Sequence, residues 1–382
     1  MSNRSNAFDL AVVGAGVIGL SVAWRAAQRG LNVVVLERDQ PGAGASHVAA
    51  GMLAPVSEAL LTEQPLLALG LSSAAAYPRF IAEVEEASGL HAGYHRCGTL
   101  LAARDGDEAE ALGRELALRI RLGLSVKRLR PSEARHLEPA LAPVLRLALY
   151  IPDDHAVDPR RLVAALTVAL ERTGGELRTG AEVVRLEMSG GRVAGVVLSD
   201  DSALSAEQVV VAAGCWGLEG LPEEARIPLR PVKGQIMRLS DPSGPGLLSH
   251  VLRMRGAYLV PRGDGRYVLG ATMEERGFDR SITAGAIYGL LRDASELLPG
   301  LGELVLDEVT AGLRPAARDN APVIGPGAIA GLHWATGHYR HGILLAPATA
   351  EAMSRILVGE EPDEVALPFG PARFARGEAI PA

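Results

Sequence analysis

Two regimes of hydrophobic patterning divide the 382-residue chain. Near the N-terminus an unbroken apolar run, residues 10–13, enters a glycine-rich turn, and a helix-period stretch leaves it. A second apolar run follows at 33–36. Continuous apolar runs of this length predict strands buried on both faces, as in a parallel sheet. Helical spacing then places Phe80, Ile81 and Val84 within 78–88, and Leu112, Leu116 and Ile120 within 107–122. Gly89 and Gly123 are the expected stops. A short strand is expected at 98–103 between these helices. Asp158-Pro159 predicts a capped helix start, and Gly174-Gly175 its end. Strands at 182–188 and 193–198 flank the hairpin signal Ser189-Gly190-Gly191-Arg192, and 206–214 is a buried strand closing on a glycine turn. From 228 to 272 the pattern changes to alternation, at 234–239, 257–261 and 267–271, which predicts antiparallel sheet. A helix at 284–298, a strand at 303–309 and a last helix from 341 to 357 complete the reading.

The N-terminal unit carries chemistry as well as pattern. Gly14, Gly16 and Gly19 occupy the turn, Val17 and Ile18 open the helix, and Glu37 closes the second strand eighteen residues after Gly19. This is the spacing of a dinucleotide-binding unit. The first glycine makes the tight turn, and the second lets backbone approach a pyrophosphate. The third lets the helix pack close to the sheet, while the carboxylate accepts bonds from the adenosine ribose. An acid there disfavours a 2′-phosphate, which leaves FAD or NAD. The small-residue loop that follows adds Arg38, Ser46, Ala49, Ala50, Gly51 and Met52 as candidate cofactor contacts, because short side chains let a second backbone segment lie along a flat ligand. Gly214 and Trp216, after the buried strand, are candidates for another such contact, since ligands bind beyond the carboxyl ends of such strands. The expected fold is α/β with α+β character: a Rossmann-like cofactor domain on a parallel sheet, and a substrate domain on an antiparallel one. Segments 1–88, 145–220 and 318–382 are expected to form the first, and 89–144 and 221–317 the second.

Composition narrows the class. Apolar residues make up 48% and charged residues 22%, a globular balance, and the net charge of −7 offers no basic field for nucleic acid or an anionic membrane. Residues 10–24 are apolar enough to mimic a signal-peptide core, but the glycine spacing favours a folded strand and helix. No other run suits a membrane span, so a cytoplasmic protein is expected. Cys97 and Cys215 lack metal or redox spacing. His338 and His341 are three apart without a third ligand nearby in sequence, and no metal is expected.

Further motifs point to a family. They are Ala49-Ala50-Gly51-Met52-Leu53-Ala54-Pro55, Ala311-Gly312-Leu313-Arg314-Pro315, and the stretch from Thr336-Gly337-His338-Tyr339-Arg340-His341-Gly342 through Ile343 and Leu344 to Pro347. Together with the N-terminal fingerprint they resemble the FAD-dependent D-amino-acid oxidase superfamily, and within it the glycine oxidases of thiamin synthesis, over residues 9–358. Asp153-Asp154 with Val157-Asp158-Pro159, Pro231-Val232-Lys233-Gly234-Gln235 and Gly270-Ala271-Thr272-Met273-Glu274 match further elements. Two residues depart from the pattern: His341, where asparagine is common, and His47, where an aromatic or small residue is usual.

The resemblance implies non-covalent FAD, with no cysteine near Arg314 to attach it. It implies that Arg314 holds a substrate carboxylate, Tyr258 donates a hydroxyl to it, and Arg340 sits at the amine, partly through its carbonyl. Met52 and Met273 would line a small pocket, Val183 would touch the adenosine side, and His341, Gly342, Ile343 and Leu344 would offer helix N-terminal N–H groups to the flavin. The implied reaction is oxidation of glycine, other small amines or D-amino acids by hydride transfer to flavin, with O₂ as acceptor and imine, ammonia and peroxide as products. A homo-oligomer, possibly a tetramer, goes with it. Each residue also has a plainer reading: Arg314 as ion-pair partner of Asp319, Arg340 as a helix cap, Tyr258 as half-buried core, and the methionines as filler. A sarcosine oxidase, a D-amino acid dehydrogenase with another acceptor, and a flavin-binding protein without turnover remain alternatives.

Overall fold

The computed structural model describes residues 8–218 and 220–374, so the outermost parts of the expected cofactor segments, 1–7 and 375–382, and residue 219 lie outside the described residues. Strand Phe8–Val13 is central to the first sheet. It pairs in parallel with Val33–Glu37 on one side and with Ala203–Val211 on the other. Glu176–Thr179 extends the sheet beyond Val33–Glu37, Leu332–Thr336 extends it beyond Ala203–Val211, and Val323–Pro326 adds an antiparallel edge. The two inner strands are apolar along nearly their whole length because helices or loops cover both faces. The hairpin Val183–Ser189 and Arg192–Leu198 joins the early half of Ala203–Val211, with Gly190 and Gly191 at φ 59° and 79° as a two-residue primed turn demands.

One face carries the helices Val17–Gln28, Gln64–Ser88, Pro159–Arg172 and Ala346–Leu357, packed around Trp24, Tyr77 and Phe80. Asp158 caps Pro159–Arg172 as the sequence predicts, accepting from the N–H groups of Arg160 and Arg161. Three helix expectations are corrected. The helix expected at 78–88 begins at Gln64 and carries Pro78 in its interior. Leu and Ala, the strongest helix formers, fill the upstream half, and burial of Leu66, Leu69 and Tyr77 outweighs a proline cost of about 3 kcal/mol. In the helix Gly106–Arg121, Leu112 and Leu116 pack inward, but Ile120 is 62% exposed and Arg119 is buried in its place. Finally, residues 342–345 form a turn and the last helix begins at Ala346. Pro347 sets that start, since a proline is favoured where the N–H needs no partner.

The second sheet has eight strands, in the order Val305–Ala317, Leu229–Ser240, Arg266–Gly270, Ala257–Pro261, Val251–Met254, Thr99–Ala103, Leu147–Ile151 and Lys127–Leu129. It is antiparallel except where Val251–Met254 runs parallel to Thr99–Ala103, so it is mixed rather than purely antiparallel. Leu147–Ile151 belongs to this sheet, although it falls inside the segment 145–220 expected to hold the cofactor.

One buried carboxylate fixes the loop that leaves the small-residue segment. Asp154 is fully buried, and its two oxygens accept from Val56 N–H (3.1 Å) and Ser57 N–H (2.6 Å). Burial pushes its carboxyl up to about 6, against the pull of those bonds. Arg119 completes the anchorage by donating to the carbonyls of Val56 (3.0 Å) and Ser57 (2.8 Å). Asp154→Ala strands both N–H groups, and urea unfolding should register a loss of about 1–3 kcal/mol for each. The neighbouring Ile120→Ala should stay within about 0.5 kcal/mol of the parent, as exposed positions do.

Candidate active site

An elongated cleft opens beyond the carboxyl ends of the parallel strands. Its floor is backbone. Gly14 has φ +103°, and a Cβ there would come within 2.8 Å of the Ala212 carbonyl oxygen. A Cβ on Gly19 would overlap the Gly14 carbonyl, so helix Val17–Gln28 starts hard against the turn. Gly16 is its cap and contributes no side chain, leaving the positive end of the helix open to an anion. Val17 N–H donates to Ser46 Oγ (3.0 Å), which ties the small-residue loop to this helix end. Glu37 is oriented by two backbone donors, Ala15 N–H at 2.7 Å and Asp39 N–H at 3.0 Å, and each oxygen keeps a further lone pair for a hydroxyl. Arg38 lies over the Trp216 ring at 4.3 Å, and both line the same end of the cleft as Val183.

Arginines hold the loop that carries Ala49 to Met52. Arg262 donates to the carbonyls of Ala50 (2.7 Å) and Val157 (2.9 Å), while Arg160 and Arg238 both donate to His47. Gly51, at φ +81°, lies so close to Val157 that a Cβ would overlap its carbonyl oxygen. The result is a wall of bare main chain facing a helix N-terminus. An extended ligand with a pyrophosphate at its centre fits this cradle, and side chains larger than alanine would fill it.

At the far end, Met52, Ile236, Tyr258, Arg314 and Arg340 line one small volume. Arg314 comes from strand Val305–Ala317, and its Nη1 donates to the carbonyls of Lys233 (3.2 Å) and Thr272 (3.1 Å). Its guanidinium lies directly across Gly234, where any Cβ would collide with it. Tyr258 stands beside it; burial raises the phenol, so the hydroxyl stays protonated and can donate, despite the opposing pull of Arg314. Arg340 faces Glu63 at 3.8 Å, and its buried Nε has no hydrogen-bond partner among the described residues. Between His338 and Arg340, Tyr339 adopts φ +49°, a conformation that non-glycine residues rarely hold. Its N–H donates to the Pro315 carbonyl (2.8 Å), which joins the two C-terminal motifs at one point. His338 is buried with Nε2 2.9 Å from Thr349 Oγ1, and burial pushes its imidazole down to about 3, so it is neutral at physiological pH.

Several sequence candidates sit elsewhere. Gly19 is packing between helix and turn, not cleft wall. Gly342 and Ile343 reach the cleft, whereas His341 and Leu344 line a small apolar side cavity behind it. Since 342–345 is a turn, the group does not form the expected helix N-terminus. Met273 is 60% exposed outside the pocket, its Sδ accepting from Tyr339 OH (2.9 Å). Asp319 pairs with Arg373 at 2.7 Å, so the alternative role for Arg314 as its partner falls away. Cys97 and Cys215 are buried, with thiols pushed up to about 11 by burial. No cluster of metal-ligating side chains occurs among the described residues. Glu58, which lines the cleft, and Gly234, beneath Arg314, were not singled out as site residues from the sequence. Glu58 was within reach, lying six residues after Met52 in the same loop.

With this geometry established, comparison with known proteins decides the family. A model of FAD dependent oxidoreductases matches residues 9–356. The chain belongs to that family. FAD is accordingly the dinucleotide of the cleft, and the choice against NAD is made. Glycine oxidase from Geobacillus kaustophilus is 34% identical, with 97% of each chain covered. Its crystal structure superposes with a TM-score of 0.89 over 96% of this chain and 99% of that one. A bifunctional ThiO/ThiG protein of Trichormus variabilis is 36% identical over 96% of this chain but only 55% of its own length. The chain thus spans about half the length of the bifunctional relatives it matches.

Gly234→Ala offers a test of the site that removes no polar group. The added methyl must displace Arg314, and titration of the FAD-bound protein with acetate, followed by flavin absorbance, should show affinity falling about 10-fold or more, the worth of a charge-assisted pair. FAD content should match the parent.

Proposed function

We propose that this protein oxidises glycine and other small primary amines, D-amino acids among them, consuming O₂ and water and releasing the 2-oxo acid, ammonia and hydrogen peroxide. The observation that carries the reading is the meeting of Arg314 and Tyr258 over one small pocket that Met52 and Ile236 keep narrow. A planar guanidinium binds a carboxylate through parallel charge-assisted bonds, which sets the orientation of the α-carbon as well as its position. Tyr258, protonated, adds a donor to the same carboxylate. The Arg340 main-chain carbonyl is the acceptor assigned to the substrate amine. Bound FAD supplies hydride acceptance and reaction with O₂. Glu37, Arg38, Val183 and Trp216 would hold its adenosine end, Gly14, Gly16, Val17, Ile18 and Ser46 its pyrophosphate, and Ala49 to Met52, Gly214, Gly342 and Ile343 the remainder, without a covalent link. Neither His338, which burial makes a weak base and which is engaged with Thr349, nor Glu58, whose carboxyl lies below its usual value, is assigned as a base for a carbon-bound proton.

The first sheet with its helices is the proposed cofactor domain, and the second sheet the proposed substrate domain. The glycine-derived imine is the proposed donor for thiamin thiazole formation, a reading supported by relatives in which ThiO and ThiG share one polypeptide. A cytoplasmic homotetramer is the proposed form.

The test is a peroxide assay with glycine, sarcosine, D-alanine and D-proline, alongside anaerobic dye reduction. Peroxide from glycine supports the proposal, preference for sarcosine redirects it to N-methyl amines, and dye reduction without peroxide indicates a dehydrogenase. Arg314→Ala should lose about 100-fold or more in kcat/KM while staying yellow with bound FAD. Unchanged activity would place the carboxylate clamp elsewhere.

A further inference from the structure

Glu58 is the carboxylate that lines the cleft at the end where Arg314 and Arg340 bring cationic charge. It lines the cleft together with Arg314, Tyr258 and Arg340, and its side chain is only 12% exposed. Its backbone is fixed by the Asp154 anchorage at Val56 and Ser57, one residue upstream. Its carboxylate is fixed from two sides: Arg253 Nη2 lies 3.2 Å from Oε1, and His341 Nδ1 lies 3.4 Å from Oε2. Arg253 is steadied in turn by donating to Ser57 Oγ at 2.9 Å. Behind Glu58 the side cavity is walled by Pro55, Leu66, Gly70 and Leu344, with Glu63, which faces Arg340, and His341 as its polar lining.

We propose that Glu58 is the counter-charge for the substrate ammonium, so that Arg314 and Glu58 together recognise a zwitterion, and that Arg253 and His341 are the positioning residues that hold it. This rests on the amine-oxidase reading above. A pocket with Arg314 alone would accept any small carboxylate; the opposed carboxylate makes the cationic nitrogen part of the recognition. The charges that face Glu58 are Arg253 on strand Val251–Met254, Arg340 and His341 in the C-terminal turn, Arg314 on strand Val305–Ala317 and the Tyr258 phenol. Burial pushes the Glu58 carboxyl up, but Arg253 first, then a protonated His341, Arg340 and Arg314 more than reverse it and leave it below its usual value. Burial pushes His341 down, so at neutral pH it meets Glu58 as a neutral imidazole. A carboxylate so stabilised is a poor acceptor for an ammonium proton. Glu58 therefore binds the cation, and the proton leaves to solvent before the C–H bond is broken. His341 keeps a ring nitrogen 3.4 Å from Glu58 Oε2.

The experiment compares glycine with glycolate, which has a hydroxyl in place of the ammonium, on the FAD-loaded enzyme. In Glu58→Gln, KM for glycine should rise about 10- to 100-fold with a much smaller fall in kcat, while the glycolate dissociation constant, read from flavin absorbance, changes less than about 2-fold. Parallel weakening of glycine and glycolate, or an unchanged glycine KM, overturns the proposal. Glu58→Asp separates charge from shape: retaining the anion, it should keep most of the preference for glycine, and behaviour identical to Glu58→Gln counts against a charge role. Arg253→Met removes the cation that most lowers Glu58. The acid limb of kcat/KM should then move to higher pH, and an unmoved limb with only lower stability assigns Arg253 to packing. A wild-type enzyme inert to glycine defeats the functional reading alone, since the ratio of glycine to glycolate binding still reports on Glu58.

Discussion

The rest of the structure depends on a contact with no side chain in it. Gly19 of the first helix rests on the carbonyl of Gly14, and Gly14 itself leans on the backbone after strand Ala203–Val211. Removing the usual layer of side chains brings the helix axis close to the sheet, and its N-terminus arrives level with the strand ends. Every other part of the cofactor cradle is placed from that point. Ser46 meets the N–H of Val17, Glu37 meets the N–H of Ala15, and the Ala49–Met52 loop closes the opposite wall under three arginines.

The second sheet uses the same economy for a different end. Strands Leu229–Ser240 and Val305–Ala317 pair over their length, and Gly234 stands opposite Gly312. The first glycine leaves room for the Arg314 guanidinium, and the second for Val48 of the cofactor loop. A cation is thereby laid flat on main chain, bonded to two carbonyls and still open to the pocket. The proposed substrate end is then a balance of charges, with Arg314, Arg340 and Arg253 gathered about Glu58. A single buried carboxylate among cations is far less costly than an unpaired one.

Much of this was legible in the sequence, because it depends on local chemistry. The βαβ unit, the capped start at Asp158, the primed turn at Gly190-Gly191 and the alternating strands follow from spacing and turn residues alone. What escaped was decided by partners distant in the chain. Arg119 reads as a surface residue until two carbonyls from residues 56 and 57 need donors, and its inward turn rotates Ile120 into solvent. Pro78 reads as a helix start until the leucines and Tyr77 before it find a core. Met273 carries a motif residue's signal yet lies largely exposed, three residues past the end of strand Arg266–Gly270, with Tyr339 as its polar partner. Glu58 reads as a loop acid until Arg253, nearly two hundred positions later, folds against it.

The strand order has a consequence for how the protein is made. Phe8–Val13 can pair at once with Val33–Glu37, but its other edge waits for residues 206–211, and those wait for Leu332–Thr336. During synthesis a nascent chain therefore carries an apolar, unpaired strand edge for most of its length, the kind of surface that invites pairing with another chain. The wall formed by Tyr339 to Ile343 emerges later still. The cleft walls are therefore complete only once Gly14 and Ile343, far apart in the chain, have both been made and brought together.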